Sequence, residues 1–223
     1  IVRAVEEGRV IDENLRKVIR FLFSCNLSEI LAIFVAILLG FPAPLLPLQI
    51  LRVNLVTDIL PAIALIRDPT QPGIILRKPR GQGQALLDWR SGMEMIQEGA
   101  LLAAGALSAY LWVVLFAGGP GPKATTMAFM ALVLLHPVQA ANCRSRTIPW
   151  WRLPRNPLIG LSFVTLAGLQ WLSISWTPLS DLLGTTPLTG KEWLILAVAV
   201  AWPAILMQLA KRNGRQPSER RPG

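Results

Sequence analysis

Apolar residues in this chain come in long runs rather than in the one-sided stripes of a water-soluble helix or the alternation of a half-buried strand. Six runs have roughly the 17–25 residues that cross a bilayer as a helix, at about 20–39, 45–66, 94–117, 124–142, 157–176 and 193–210. Residues 1–20 are more polar, yet Val2, Val5, Val10, Ile11, Leu15, Val18 and Ile19 recur at helical spacing. No proline separates them from the first run, so the pattern predicts a helical stalk over 1–20 continuous with the first span. Turn residues at Gly40–Pro47 and Gly118–Pro122 predict short connections. The stretch 67–92, with Pro69, Pro72, Gly73, Pro79, Gly81 and Gly83, predicts an irregular loop.

Composition agrees with this pattern. At 52% hydrophobic residues, 8 Trp and a mean hydropathy of +0.47, the chain is too apolar for an ordinary soluble domain. The predicted class is all-α, a polytopic membrane protein with six transmembrane helices. The formal charge of +9 alone would also suit a nucleic-acid binder, but its distribution excludes that reading. Arg3, Arg9, Arg16, Lys17 and Arg20 precede the first run. Arg67, Arg77, Lys78, Arg80 and Arg90 lie between the second and third, and Arg144, Arg146, Arg152 and Arg155 between the fourth and fifth. Lys211, Arg212, Arg215, Arg220 and Arg221 follow the sixth, while the other three connections hold only Lys123 and Lys191. This alternation obeys the positive-inside rule and predicts both termini in the cytoplasm, with 211–223 a basic tail. The partner it implies is the lipid bilayer; no basic–aromatic groove for nucleic acid is present.

Trp150, Trp151, Trp171, Trp176, Trp193 and Trp202 cluster near the ends of the last three spans, as interfacial anchors do. Cys25 lies within a span and Cys143 at a helix end, a placement that predicts no disulfide and offers no metal-binding spacing. There is no leader, and the chain opens Ile1-Val-Arg3 without Met, which reads as a segment of something longer.

The second run carries the chemistry. On a helix, Asn54, Thr57 and Asp58 stand at i, i+3 and i+4, so an amide oxygen, a hydroxyl and a carboxylate share one face. Pro61 supplies no N–H and crowds the Thr57 carbonyl, which predicts a kink or unwinding that frees main-chain oxygens there. An ionisable group at membrane depth is costly without a partner or a task. Asn26 and Glu29, again i, i+3, offer that partner from the first run. Two carboxylates with neutral oxygens suit a hard divalent ion such as Ca2+, or Mn2+. No soft or imidazole-rich cluster in the sequence points to copper or zinc. Glu94 and Glu98, i, i+4 at the inner end of the third run, read as solvated interfacial charges. No Gly-rich phosphate loop or nucleophile–base pair is present, so no catalytic residue is assigned.

Several stretches resemble one family. They are Ala4-Val-Glu-Glu-Gly-Arg9, Ser24-Cys-Asn-Leu-Ser-Glu-Ile30, Pro47-Leu-Gln49 ahead of Asn54-Leu-Val-Thr-Asp58, Leu60-Pro-Ala62, Lys78-Pro-Arg80 and Asn142-Cys-Arg-Ser145. Together they resemble the C-terminal membrane region of P-type cation-transporting ATPases, most closely the calcium-pump branch. The resemblance implies that the six spans are the family's fifth to tenth membrane helices. It also implies that Asn26, Glu29, Asn54, Thr57 and Asp58 contribute to the ion site.

Three departures from the family pattern bear on ion number. His136, followed by Pro137 and with Gln139 one turn on, stands where two-site calcium pumps place a carboxylate. Arg52 replaces a usual aromatic residue, and Ile59 a glycine whose loss reduces unwinding after Asp58. A cation near Asn54 and a missing acid predict one divalent ion per cycle rather than two. The competing reading has Arg52 snorkelling outward and His136 merely packed inside.

The family's phosphorylated Asp-Lys-Thr-Gly loop and its nucleotide-binding and actuator domains do not occur in this sequence. The resemblance therefore implies an ion-binding membrane portion whose ATP and Mg2+ act through domains outside it, with the N-terminal part of the same pump as its partner. The membrane would be the plasma membrane in a prokaryote. The alternative is a non-catalytic membrane module that binds an ion or partner without pumping. A gradient-driven carrier is disfavoured, because no internal repeat is evident.

Overall fold

A 37-residue helix, α1 (Val2–Leu38), carries the chain from the polar N-terminal stretch through the first apolar run without interruption. At 1.5 Å per residue it is about 55 Å long, against about 30 Å of bilayer hydrocarbon, so the helix projects well beyond the membrane core. This computed structural model describes residues 2–69 and 88–213, with side chains over 7–69 and 88–211. The loop residues Arg77, Lys78 and Arg80 and most of the basic tail lie outside the described residues.

α1 ends at Gly40, whose left-handed φ of 82° lets the Phe41 N–H reach back to the Ala36 carbonyl at 3.0 Å. The second run follows in three pieces: α2 (Pro47–Arg52), a π-helical turn (Val53–Thr57) and α3 (Ile59–Ile66). α4 (Trp89–Phe116) and α5 (Pro122–Cys143) form the next hairpin. A 3-10 turn at Trp150–Arg152 then leads to α6 (Pro157–Ser175), the short α7 (Thr177–Leu183) and α8 (Gly190–Asn213). All regular elements among the described residues are helical, and six helical stretches are long and apolar enough to span a membrane. The first is Glu7–Leu38, the second Pro47–Ile66 and the last Gly190–Lys211. Short α7 was not foreseen.

α5 is the centre of the bundle. Its span is 78% buried, against 22% for α6, and the consecutive residues Ala128 to Val133 are all inaccessible. A helix apolar on every side has to be surrounded, and α1, α3, α4, α6 and α8 pack around this one. α4 and α8 meet at Gly105, where an added Cβ would fall 2.8 Å from Pro203 Cγ and 2.9 Å from the Ala199 carbonyl. Small residues permit that close approach of backbones where apolar lipid offers no competing drive.

Asp88 caps α4. One of its oxygens accepts from the Ser91 N–H at 3.1 Å and from the Ser91 hydroxyl. That hydroxyl bond holds the Asp88 carboxyl below the usual carboxylate range. A carboxyl lowered in this way supports the fold at neutral pH and loses its contribution as pH falls through its folded pKa. The exposed Trp150, Trp151, Trp171, Trp176 and Trp193 sit on the outer surface of the bundle.

Candidate cation site in the helix bundle

The break in the second span differs in place and kind from the expected unwinding at Pro61. The Asp58 N–H bonds to the Val53 carbonyl at 3.1 Å, an i to i−5 bond, so the chain widens into a π-turn upstream of the proline. Pro61 then falls in the first turn of α3, and the helix runs into it without a break, since the Asp58 carbonyl accepts from the Ala62 N–H at 3.1 Å. The Thr57 carbonyl is the one that Pro61 leaves without a helical donor. The extra residue in the turn also separates the three predicted ligands. Thr57 and Asp58 point inward and are buried, while Asn54 is exposed. The single shared face of an ideal α-helix is therefore corrected.

On α1, Glu29 is buried and its Oε2 accepts from Asn54 Nδ2 at 3.0 Å. Its other oxygen, Oε1, is buried without a hydrogen bond. Asn26, one turn earlier, is exposed. Asp58 faces α5. Its Oδ1 is 2.6 Å from His136 Nδ1, and since a carboxylate only accepts, Nδ1 is the donor. His136 is completely buried, its Nε2 has no partner, and the Phe21 ring meets it edge-on at 6.4 Å. Cys25 completes this side: a ligand atom from each of Cys25, Asp58 and His136 lies within 4.8 Å of the other two. The site thus has two halves, Glu29 with Asn54 and Asp58 with His136 and Cys25. The second group has no local signature in the sequence, because its three members come from separate elements.

Arg52 does not snorkel outward. Its guanidinium donates to Gln170 Oε1 at 2.7 Å and to the Leu169 carbonyl at 3.1 Å, and lies 5.1 Å from the centre of the Phe129 ring. Gln139 belongs to a different group from His136. Its Nε2 donates to Ser24 Oγ and Glu98 Oε2, both at 2.9 Å.

That group corrects the reading of Glu98 as a solvated charge. Glu98 is buried, forms a two-pronged ion pair with Arg20 of α1, and accepts from Asn142 Nδ2 at 3.2 Å. Glu94 is more open and pairs with Arg90 and Arg146 at 3.6 and 3.4 Å.

Nearer the polar end of α1, buried Asp68 holds four elements together. It accepts from Lys17 at 2.8 Å, Arg144 at 2.7 Å and Asn156 at 2.9 Å, while Asn14 donates to its carbonyl at 3.1 Å. Neither this clamp nor the Arg20–Glu98 pair was picked out from the sequence. The signal was present as a polar stripe down one face of α1, Lys17, Arg20, Ser24 and Ser28, at spacings of three and four.

Chemically, Glu29 and Asp58 can offer a divalent ion two negative charges in a low-dielectric setting, with the Thr57 hydroxyl and the Asn54 amide oxygen as neutral donors. For Asp58 to ligate with both oxygens, His136 has to release one.

Comparisons with known proteins show the family of the chain. Residues 42–213 match the family described as cation transporting ATPase, C-terminus. The chain is 35% identical over 210 residues to a calcium-transporting ATPase of Bacillus subtilis (strain 168), covering 93% of this chain and 23% of that protein. It is 36% identical over 233 residues to calcium-transporting ATPase 1 of Bacillus cereus (strain ATCC 10987 / NRS 248), covering 96% of this chain and 26% of that one. The chain therefore spans about a quarter of the length of these relatives.

Proposed function

The chain belongs to the C-terminal family of cation-transporting ATPases, and from that premise we propose that it is the membrane ion-binding portion of an ATP-driven pump that moves one Ca2+, or Mn2+, per cycle. The observation that carries this reading is the pair of buried carboxylates, Glu29 on α1 and Asp58 at the π-turn, with Thr57 buried beside Asp58 and Asn54 bonded to Glu29. The names of the relatives, calcium-transporting ATPases, support the choice of ion.

The one-ion stoichiometry follows from charge. Two carboxylates neutralise a single divalent ion, and His136 adds no negative charge where a second site would need one. Arg52, tied to α6 by two hydrogen bonds, keeps a permanent positive charge two residues from Asn54. ATP and Mg2+ act through domains outside this chain. α1 joins stalk and site in one helix, so a displacement at its polar end shifts Asn26 and Glu29 relative to Asn54 and Asp58 and changes ion affinity. Both termini lie in the cytoplasm, and in a prokaryote the host is the plasma membrane.

The test is uptake by liposomes containing the full product of the gene that carries these residues. ATP-driven accumulation of 45Ca2+ at one ion per ATP is expected. Two ions per ATP overturns the stoichiometry, and binding without any ATP-driven uptake favours the non-catalytic module.

A further inference from the structure

The Cys25–Asp58–His136 cluster is not used by the calcium reading except through Asp58. We propose that these three side chains form a site for a borderline-soft divalent metal ion of the Zn2+ class, which competes with a hard ion for Asp58.

The donor set is the first argument. A thiolate, an imidazole and a carboxylate are the three ligand types that Zn2+ takes, whereas Ca2+ seeks six to eight hard oxygens. Sulfur and imidazole nitrogen favour the later first-row metals over Ca2+.

Geometry is the second. The three side chains come from α1, the residue after the π-turn and α5, and their ligand atoms already lie within 4.8 Å of one another. Tetrahedral zinc with bonds of about 2.0–2.3 Å sets its donors about 3.4–3.8 Å apart, so the cluster closes on an ion with side-chain adjustments. The Asp58–His136 contact of 2.6 Å opens by about 1 Å if both contacting atoms ligate.

Burial and unused bonding capacity are the third. Cys25 and His136 are fully buried and Asp58 nearly so. His136 Nδ1 ligates only after giving up the proton it donates to Asp58, and Nε2, which has no hydrogen-bond partner, is free to carry that proton, so the ring stays neutral. On binding, the Cys25 thiol gives its proton to solvent and the thiolate bonds the metal; no oxidation state changes. Thiolate and carboxylate then carry two negative charges against the ion's two positive ones, as a water-poor site requires. Three protein ligands leave a fourth position open, the pattern of an exchangeable rather than a structural ion.

Co2+ is the probe, added to the full gene product in lipid nanodiscs. The expected result is a thiolate-to-cobalt charge-transfer absorption that saturates at one Co2+ per protein and is bleached by Zn2+. Cys25→Ser, which keeps the residue's size, removes the band, and His136→Asn weakens Co2+ binding at least about tenfold. A wild-type protein with no such band overturns the proposal whatever the variants do, and so does a band of full intensity in Cys25→Ser. Titration of the same samples with 45Ca2+ separates the two readings. Wild-type protein that binds Co2+ but not Ca2+ contradicts the calcium reading and leaves this one standing.

Discussion

Asp58→Asn in the full protein abolishes Ca2+-dependent phosphorylation from ATP and weakens Ca2+ binding at least about 100-fold, with the protein still assembled. The substitution keeps the side chain's shape. Its amide oxygen still accepts from His136 Nδ1, so the packing of the π-turn against α5 survives. What disappears is one of the two buried carboxylate charges, Glu29 and Asp58, on which the proposed ion site rests. At this depth that loss resembles breaking a buried ion pair, which costs about 3–5 kcal/mol, and each 1.4 kcal/mol is tenfold in affinity. A 45Ca2+ binding isotherm and a thermal unfolding midpoint on the same preparation separate lost affinity from lost fold. Unchanged ion dependence removes Asp58 from the site.

Arg20→Ala destabilises the bundle by about 3–5 kcal/mol, because it leaves the Glu98 carboxylate buried with only the amides of Gln139 and Asn142 as donors. Removing both charges with Arg20→Met and Glu98→Leu recovers part of that loss. It recovers only part, since Gln139 and Asn142 then lose the acceptor they share. The double-mutant cycle, read from unfolding midpoints in nanodiscs, should therefore give a coupling well above the 0.2–1 kcal/mol typical of exposed pairs. Coupling within that low range contradicts the buried pair and restores Glu98 as a solvated interfacial charge.

The contrast over Glu98 shows what the sequence held and what it did not. Six long apolar runs and the uninterrupted helical pattern ahead of the first one made the membrane class and the continuity of α1 readable, because both depend on local composition and on the absence of proline. Glu98 was misread because its partner Arg20 lies 78 residues away, and helix pattern alone does not say which neighbour a face meets. Cys25 offered no metal-binding spacing in the sequence, and its nearness to Asp58 and His136 was hidden for the same reason. Metal-binding spacing is a local signal, and here the three side chains sit on elements that packing alone brings together.

Pro61 was a true sign of irregular backbone, yet the position of the irregularity depended on more than that residue. The helix widens at Val53–Thr57, upstream of Pro61, and the missing N–H of Pro61 leaves the Thr57 carbonyl without its helical donor. The side effect, with Thr57 and Asp58 buried while Asn54 stays exposed and reaches across to Glu29 on α1, could not be drawn from a helical wheel.

The most direct test of the central claim is a structure of the full protein with Ca2+ bound, the ion identified by anomalous scattering. The account expects one ion with Glu29 and Asp58 oxygens about 2.3–2.6 Å from it and His136 turned away from at least one Asp58 oxygen. An ion held elsewhere, or a second ion ligated within the same bundle, would contradict it.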